Sequence, residues 1–148
     1  MLEEIISNQV LVVPLYAWAV AQLLKVFTRL AREKRLDLRY LVKSGGMPSA
    51  HSAMVSALAT AAAVIHGLDS VAFGIAAILA FIVIYDAVGV RQSVGHHSVV
   101  LNRLIREFRF NRPISEWEHD LRELMGHTTF QVFAGVILGI IVALVLVM

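Results

Sequence analysis

Apolar residues fall along the chain in four long blocks, separated by polar segments of very unequal length. Residues 9 to 28 (QVLVVPLYAWAVAQLLKVFT), 70 to 90 (SVAFGIAAILAFIVIYDAVGV) and 128 to 148 (TTFQVFAGVILGIIVALVLVM) each approach the ~20 apolar residues that a helix needs to cross a bilayer. Pro14 falls near the start of the first block, where a missing N–H is best tolerated. Lys25 falls near its end, where a long side chain can snorkel to the interface. The fourth block, residues 49 to 66 (SAHSAMVSALATAAAVIH), is shorter and rich in alanine. It reads as a span because the link GLDS that follows leaves little room for any other crossing. Ser52, Ser56 and Thr60, or Ala53, Ala57 and Ala61, recur at every fourth position, and such stripes let helix backbones approach closely in lipid. The expected outcome is a helix buried by its neighbours. A homodimer seam, here or at Gly135 and Gly139, is the alternative.

Composition agrees with the pattern. The 148 residues are 58% hydrophobic, with a mean hydropathy of +0.73, well above the needs of a soluble domain. Cysteine is absent, which excludes disulfides and thiolate metal sites. The acidic start MLEEIISNQ argues against a cleaved secretory signal. The expected fold is therefore all-α: one domain over residues 1–148, an integral membrane helical bundle of about four transmembrane helices, with interfacial helices in the loops.

Charge supplies the orientation. All thirteen Lys and Arg residues lie in or beside two segments, one between the first two spans and one between the last two. The positive-inside bias puts both loops, roughly residues 29 to 48 and 91 to 127, in the cytoplasm and both termini outside the cell membrane. Within the second loop, ISEWEHDLRELMGH carries a capping pattern, Ser115 with Glu118, and apolar residues at helical spacing. Anchoring against anionic lipid explains most of these arginines. It does not explain Lys43 or Arg91.

That topology brings separated polar groups to one face. The second span enters from the cytoplasm through KSGGMPSAHS, residues 43 to 52; the third returns there through YDAVGVR, with Asp86 and Arg91; the fourth starts there with His127. Ionisable groups at the ends of spans are read as functional by default. Two helix N-termini, at Ser49 and near His127, direct positive dipole ends at the site. Gly45 and Gly46 permit a tight turn whose amides suit an anion. Lys43 and Arg91 add full charge, and the arginine fork matches phosphate oxygens. His51 and His127 are suited to nucleophilic and general-acid roles near neutral pH. Ser49, after Pro48, reads equally as a helix cap.

These residues resemble a known pattern. PSAHS at 48 to 52 resembles the P-S-G-H signature of the type 2 phosphatidic acid phosphatase and vanadium haloperoxidase superfamily, and GHTTFQVFAGVILG at 126 to 139 resembles its third motif. KSGGMPSAHS with YDAVGVR and GHT is more similar still to a small divergent branch of that superfamily. The resemblance implies that His127 attacks phosphorus to form a phosphohistidine while His51 protonates the leaving oxygen. Lys43, Arg91 and Ser49, with the backbone amides of Ser44, Gly45, Gly46 and Ala50, would hold the phosphate. No metal and no cofactor is required in that chemistry, because fixed positive charge and N–H donors stabilise the equatorial oxygens.

The chain departs from the pattern in four places. Ala50 replaces the usual glycine. The first motif, a lysine followed seven residues later by Arg-Pro, is absent, so Lys43 is matched by proximity. Arg91 stands thirty-six residues before His127 rather than six, a spacing that His97 would satisfy as an alternative nucleophile. Finally, Gln131 stands where an acidic residue orients the nucleophile, leaving Asp86 or Glu123 to supply that charge. The expected activity is hydrolysis of a lipid phosphomonoester or pyrophosphate, such as phosphatidylglycerophosphate, phosphatidic acid or a polyprenyl phosphate. The expected partners are that lipid and the bilayer, with no nucleic acid. The rival is a membrane protein of little or no activity that binds anionic phospholipid or scaffolds a partner.

Overall fold

A computed structural model describes residues 2–33, 46–88 and 129–148. All regular structure among these residues is α-helical. The short α1 (Leu2–Ser7) precedes α2 (Gln9–Glu33), and α3 (Ala50–His66), α4 (Val71–Val88) and α5 (Thr129–Val147) follow. Asn8 separates α1 from α2: its side-chain oxygen and its carbonyl both accept from Leu11 N–H, at 3.3 and 3.0 Å. Such capping satisfies a donor that the first turn of a helix leaves over. Pro14 sits inside α2, in its second turn.

Three helices, over Gln9–Thr28, Val71–Val88 and Thr129–Val147, are long and apolar enough to cross a membrane, and α3 is a shorter apolar helix of 17 residues. This agrees with the four blocks of the sequence, α3 being the weak one in both. Its weakness has a physical reason. Helix α3 packs against both α2 and α5, and it buries Ala50, Ser52, Ala53, Ser56, Ala57, Ala61 and Ala62. A helix sheathed by neighbours needs small side chains for close contact, so it cannot also display the large apolar residues that mark a lipid-facing span. Those lie on the outer helices: Leu23 and Phe27 on α2, Ile75 and Phe81 on α4, Phe133 and Ile137 on α5 are exposed.

The packing register fixes direction. Val13 and Ala17 of α2 cluster with Ala57 and Ala61 of α3 and Ala143 of α5, while Ala21 clusters with Ala50 and Ala53. Ascending numbers on α2 meet descending numbers on α3, so these two helices are antiparallel. Gly135 of α5 faces Ser49 and Ser52, and Gly139 faces Ala53, so α3 and α5 run parallel. A Cβ on Gly135 would collide with the Ser49 carbonyl oxygen and lie 3.0 Å from Ser52 Cβ; one on Gly139 would collide with the Ala53 carbonyl oxygen. The glycines given as the alternative, a homodimer seam, are thus spent on a contact within the chain.

A tight link joins α3 to α4. Gly67, at φ +91°, closes α3 with its N–H on the Ala63 carbonyl. The Ser70 hydroxyl donates to the Gly67 carbonyl at 2.7 Å and accepts from Phe73 N–H at 3.1 Å, capping α4. Only four residues separate the two helices.

Candidate active site

The site is built where α3 and α5 begin, against the second half of α2. Its centre is Ser49, the N-cap of α3, fully buried with extended backbone at φ −70° and ψ 114°. Its side-chain oxygen accepts from Ser52 N–H at 3.4 Å and from the Ser52 hydroxyl at 3.0 Å. Its own N–H, pointing back out of the helix, donates to the Gln131 carbonyl in the first turn of α5 at 3.0 Å. One backbone hydrogen bond therefore ties together the two helix N-termini that the sequence places at a common face.

The segment before Ser49 is held from the other side. Thr28, near the end of α2, donates its hydroxyl to the Met47 carbonyl at 2.9 Å. The Met47–Pro48 peptide is cis, and Gly46 adopts φ +88°, a conformation that L side chains rarely take. The glycine anticipated as part of a tight turn is needed there for its backbone alone.

Lys25 is not among the residues that the sequence assigns to the site. It is 3% exposed, and its Cγ and Cδ lie 3.8 and 3.9 Å from where a Gly46 Cβ would stand. The lysine expected to snorkel toward water instead turns inward, laying its aliphatic stem against the glycine of the signature loop. Leu23, Leu24 and Phe27 take the exposed positions around it, while Gln22, three residues earlier, is buried on the inner side. A polar inner face under an apolar outer one is the arrangement a bilayer imposes. A signal for Lys25 is present in the sequence. Arg32 follows it by seven residues, the first-motif spacing, but Glu33 stands where that motif has proline.

The expected site residues fall into two groups. Gly46, Ser49, Ala50, His51, Asp86 and Gln131 are described. His51 is exposed in the first turn of α3, Ala50 beside it is buried, Gln131 is half-buried at the start of α5, and Asp86 is exposed in the last turns of α4. Ser49 takes the capping role that its position after Pro48 allows. Lys43, Ser44, Gly45, Arg91, His97, Glu123 and His127, along with the interfacial segment containing Ser115 and Glu118, lie outside the described residues. His127 precedes the first described residue of α5, Thr129, by two positions.

This end of the bundle joins two helix N-termini, a glycine-hinged loop and a buried cation, all features that favour an anion. Residues 6–142 match the model of the divergent PAP2 family. The chain is also similar to the uncharacterized membrane protein YuiD of Bacillus subtilis (strain 168), at 39% identity over 152 residues that cover 97% of this chain and 96% of the relative. No solved structure matches it. With membrane-spanning helices, a family match over most of its length and a relative aligned from end to end, the chain is a membrane protein that belongs to the divergent PAP2 family.

Proposed function

We propose that the protein is a lipid-phosphate phosphatase whose active site opens at the cytoplasmic face of the cell membrane. The substrate is a phosphomonoester or pyrophosphate of a lipid, with phosphatidylglycerophosphate, phosphatidic acid and polyprenyl phosphate as the candidates. His127 attacks phosphorus as the bond to the leaving oxygen breaks, and His51 gives that oxygen its proton. Water then attacks the phosphohistidine and releases inorganic phosphate. Lys25, Lys43 and Arg91, with the amides of Ser44, Gly45, Gly46 and Ala50, hold the equatorial oxygens. Asp86, Glu123 or Gln131 orients the nucleophile. Ser49 positions the site by joining α3 to α5.

The observation that carries this reading is the meeting of two helix N-termini with the second half of α2. Gln131 of α5 accepts from Ser49 of α3, and Lys25 of α2 lies against Gly46 of the loop between them. The exposed His51 stands in the first turn of α3, on the rim of that junction. Lipids presented from the inner leaflet fit an active site on the side that carries the basic loops.

The test is phosphate release from a panel of lipid phosphates by the purified protein and by its His127→Ala variant. Turnover by the wild type and none by the variant is expected. A wild type that binds these lipids, seen as a rise in Tm, yet releases no phosphate would establish the non-enzymatic reading instead.

A further inference from the structure

Gln22 is the one described residue with a buried side-chain oxygen that lacks a hydrogen-bond partner. It is 8% exposed, on the inner side of α2, and its Oε1 meets no donor among the described residues. A buried amide oxygen left unpaired in a bundle is a substantial penalty, and the interior of a membrane bundle gives it no water as relief. An apolar residue at this position would avoid that penalty, so the oxygen marks a place for a donor from beyond the described residues.

Its location says which donor. The residue before it, Ala21, packs with Ala50 and Ala53 in the first turn of α3. The residue three later, Lys25, lies against Gly46. Gln22 is therefore attached to α2 just under one turn before Lys25, toward the middle of the span, about 4.5 Å along the axis at ~1.5 Å of rise per residue. A carbonyl oxygen accepts and cannot donate, so it selects a hydroxyl and offers nothing to a hydrocarbon chain. A hydroxyl on the carbon next to a phosphate-bearing carbon stands off the phosphate by a comparable few ångströms.

We propose that Gln22 is a specificity-determining residue whose Oε1 accepts a hydrogen bond from a hydroxyl on the alcohol portion of the substrate. The preferred substrate is then a lipid phosphomonoester with a free hydroxyl adjacent to the phosphorylated carbon, as in a phosphorylated glycerol head group. Lipid phosphates whose phosphate sits directly on a diacylglycerol or an isoprenoid alcohol lack that donor and leave Oε1 unpaired. The inference rests on the lipid-phosphate reading and sharpens it to one class of head group.

The experiment compares two lipids that differ only in the hydroxyl: dioctanoyl phosphatidylglycerophosphate and its 2′-deoxy head-group analogue. The wild type is expected to favour the hydroxylated lipid by about tenfold or more in kcat/KM, since a buried acceptor discriminates against a ligand that leaves it unpaired. Gln22→Met, similar in volume without the acceptor, should bring the ratio close to one by losing rate on the hydroxylated lipid alone. Gln22→Glu keeps an acceptor oxygen and should retain a preference. Equal turnover of the two lipids by the wild type, or an unchanged preference in Gln22→Met, overturns the assignment while leaving the phosphatase intact. Phosphate release from no lipid of the panel overturns the phosphatase reading, and this inference with it.

Discussion

The Ser49 N–H donates to the Gln131 carbonyl at 3.0 Å, joining the cap of α3 to the first turn of α5. In a helix the Gln131 carbonyl also faces the N–H four residues on, which belongs to Gly135. Gly135 is where a side chain would strike the Ser49 carbonyl. The hydrogen bond and the glycine are thus two parts of one contact: α3 comes close enough to reach Gln131 because Gly135 has no Cβ. Gly139 repeats the arrangement one turn further along, against Ala53.

Substitutions at these glycines should separate packing from propensity. Gly135→Ala and Gly139→Ala each force a methyl into backbone, which cannot turn aside as a flexible side chain can. Each is expected to destabilise the bundle by about 1–3 kcal/mol, the usual penalty of overpacking, and Gly135→Ala should also lower activity by spreading the two N-termini. Gly74, within α4, has open space out to 4 Å around the point where a Cβ would stand. Gly74→Ala should therefore be neutral or stabilising by up to about 1 kcal/mol through helix propensity. Thermal unfolding in detergent checks all three. Equal losses at Gly74 and Gly135 would contradict the close-contact account.

Much of this arrangement is legible in the sequence, and the parts that are not have physical causes. The four apolar blocks and the small-residue stripe of α3 follow from what a bilayer requires of length and of close packing. The meeting of the two N-termini follows from charge bias and alternation of direction, and the Ser49–Gln131 bond agrees with it. Lys25 escapes such a reading because a lysine near the end of a span usually snorkels, and hydropathy does not say which side of a helix faces protein. Gln22 escapes it for the same reason: one amide among apolar residues leaves periodicity almost unchanged. Gly135 and Gly139 suggest a seam, but spacing alone cannot tell a partner helix in the same chain from one in another.

Lys25 supplies a second prediction. Its burial beside Gly46 makes it a fixed cation at the proposed phosphate site, so Lys25→Met should reduce kcat/KM for lipid phosphates by about a hundredfold or more, as loss of one charge-stabilising donor does elsewhere. Inhibition by vanadate, which mimics five-coordinate phosphorus, should weaken in parallel. The variant should remain folded, because methionine fills the volume of the lysine stem. A Lys25→Met protein with normal turnover and normal vanadate inhibition would remove Lys25 from the site.

Orientation is tested without the enzyme reaction. The chain contains no cysteine, so single cysteines introduced by Leu2→Cys and Phe110→Cys report unambiguously. A membrane-impermeant thiol reagent applied to intact cells should label position 2 and spare position 110. The reverse pattern would place the basic loops outside and the proposed site on the opposite face of the membrane.

The roles of the histidines can be separated by trapping the intermediate. If His127 attacks phosphorus, His127→Ala should abolish both turnover and the acid-labile phosphoenzyme caught by rapid quench, and His97→Ala should leave the phosphoenzyme in place. In the proposed mechanism His51 acts on the other side of the same transition state. An alkoxide leaving group needs a proton as the bond to phosphorus breaks, so His51→Ala should slow phosphoenzyme formation from lipid substrates by about a hundredfold or more. An aryl phosphate, whose leaving group is stable as an anion, should be slowed far less by the same change. The exposure of His51 in the first turn of α3 is consistent with that role, since the leaving lipid must reach it from the membrane side of the site. A phosphoenzyme that survives His127→Ala and vanishes in His97→Ala would move the nucleophile to His97, making the six-residue spacing from Arg91 a better guide than the start of α5.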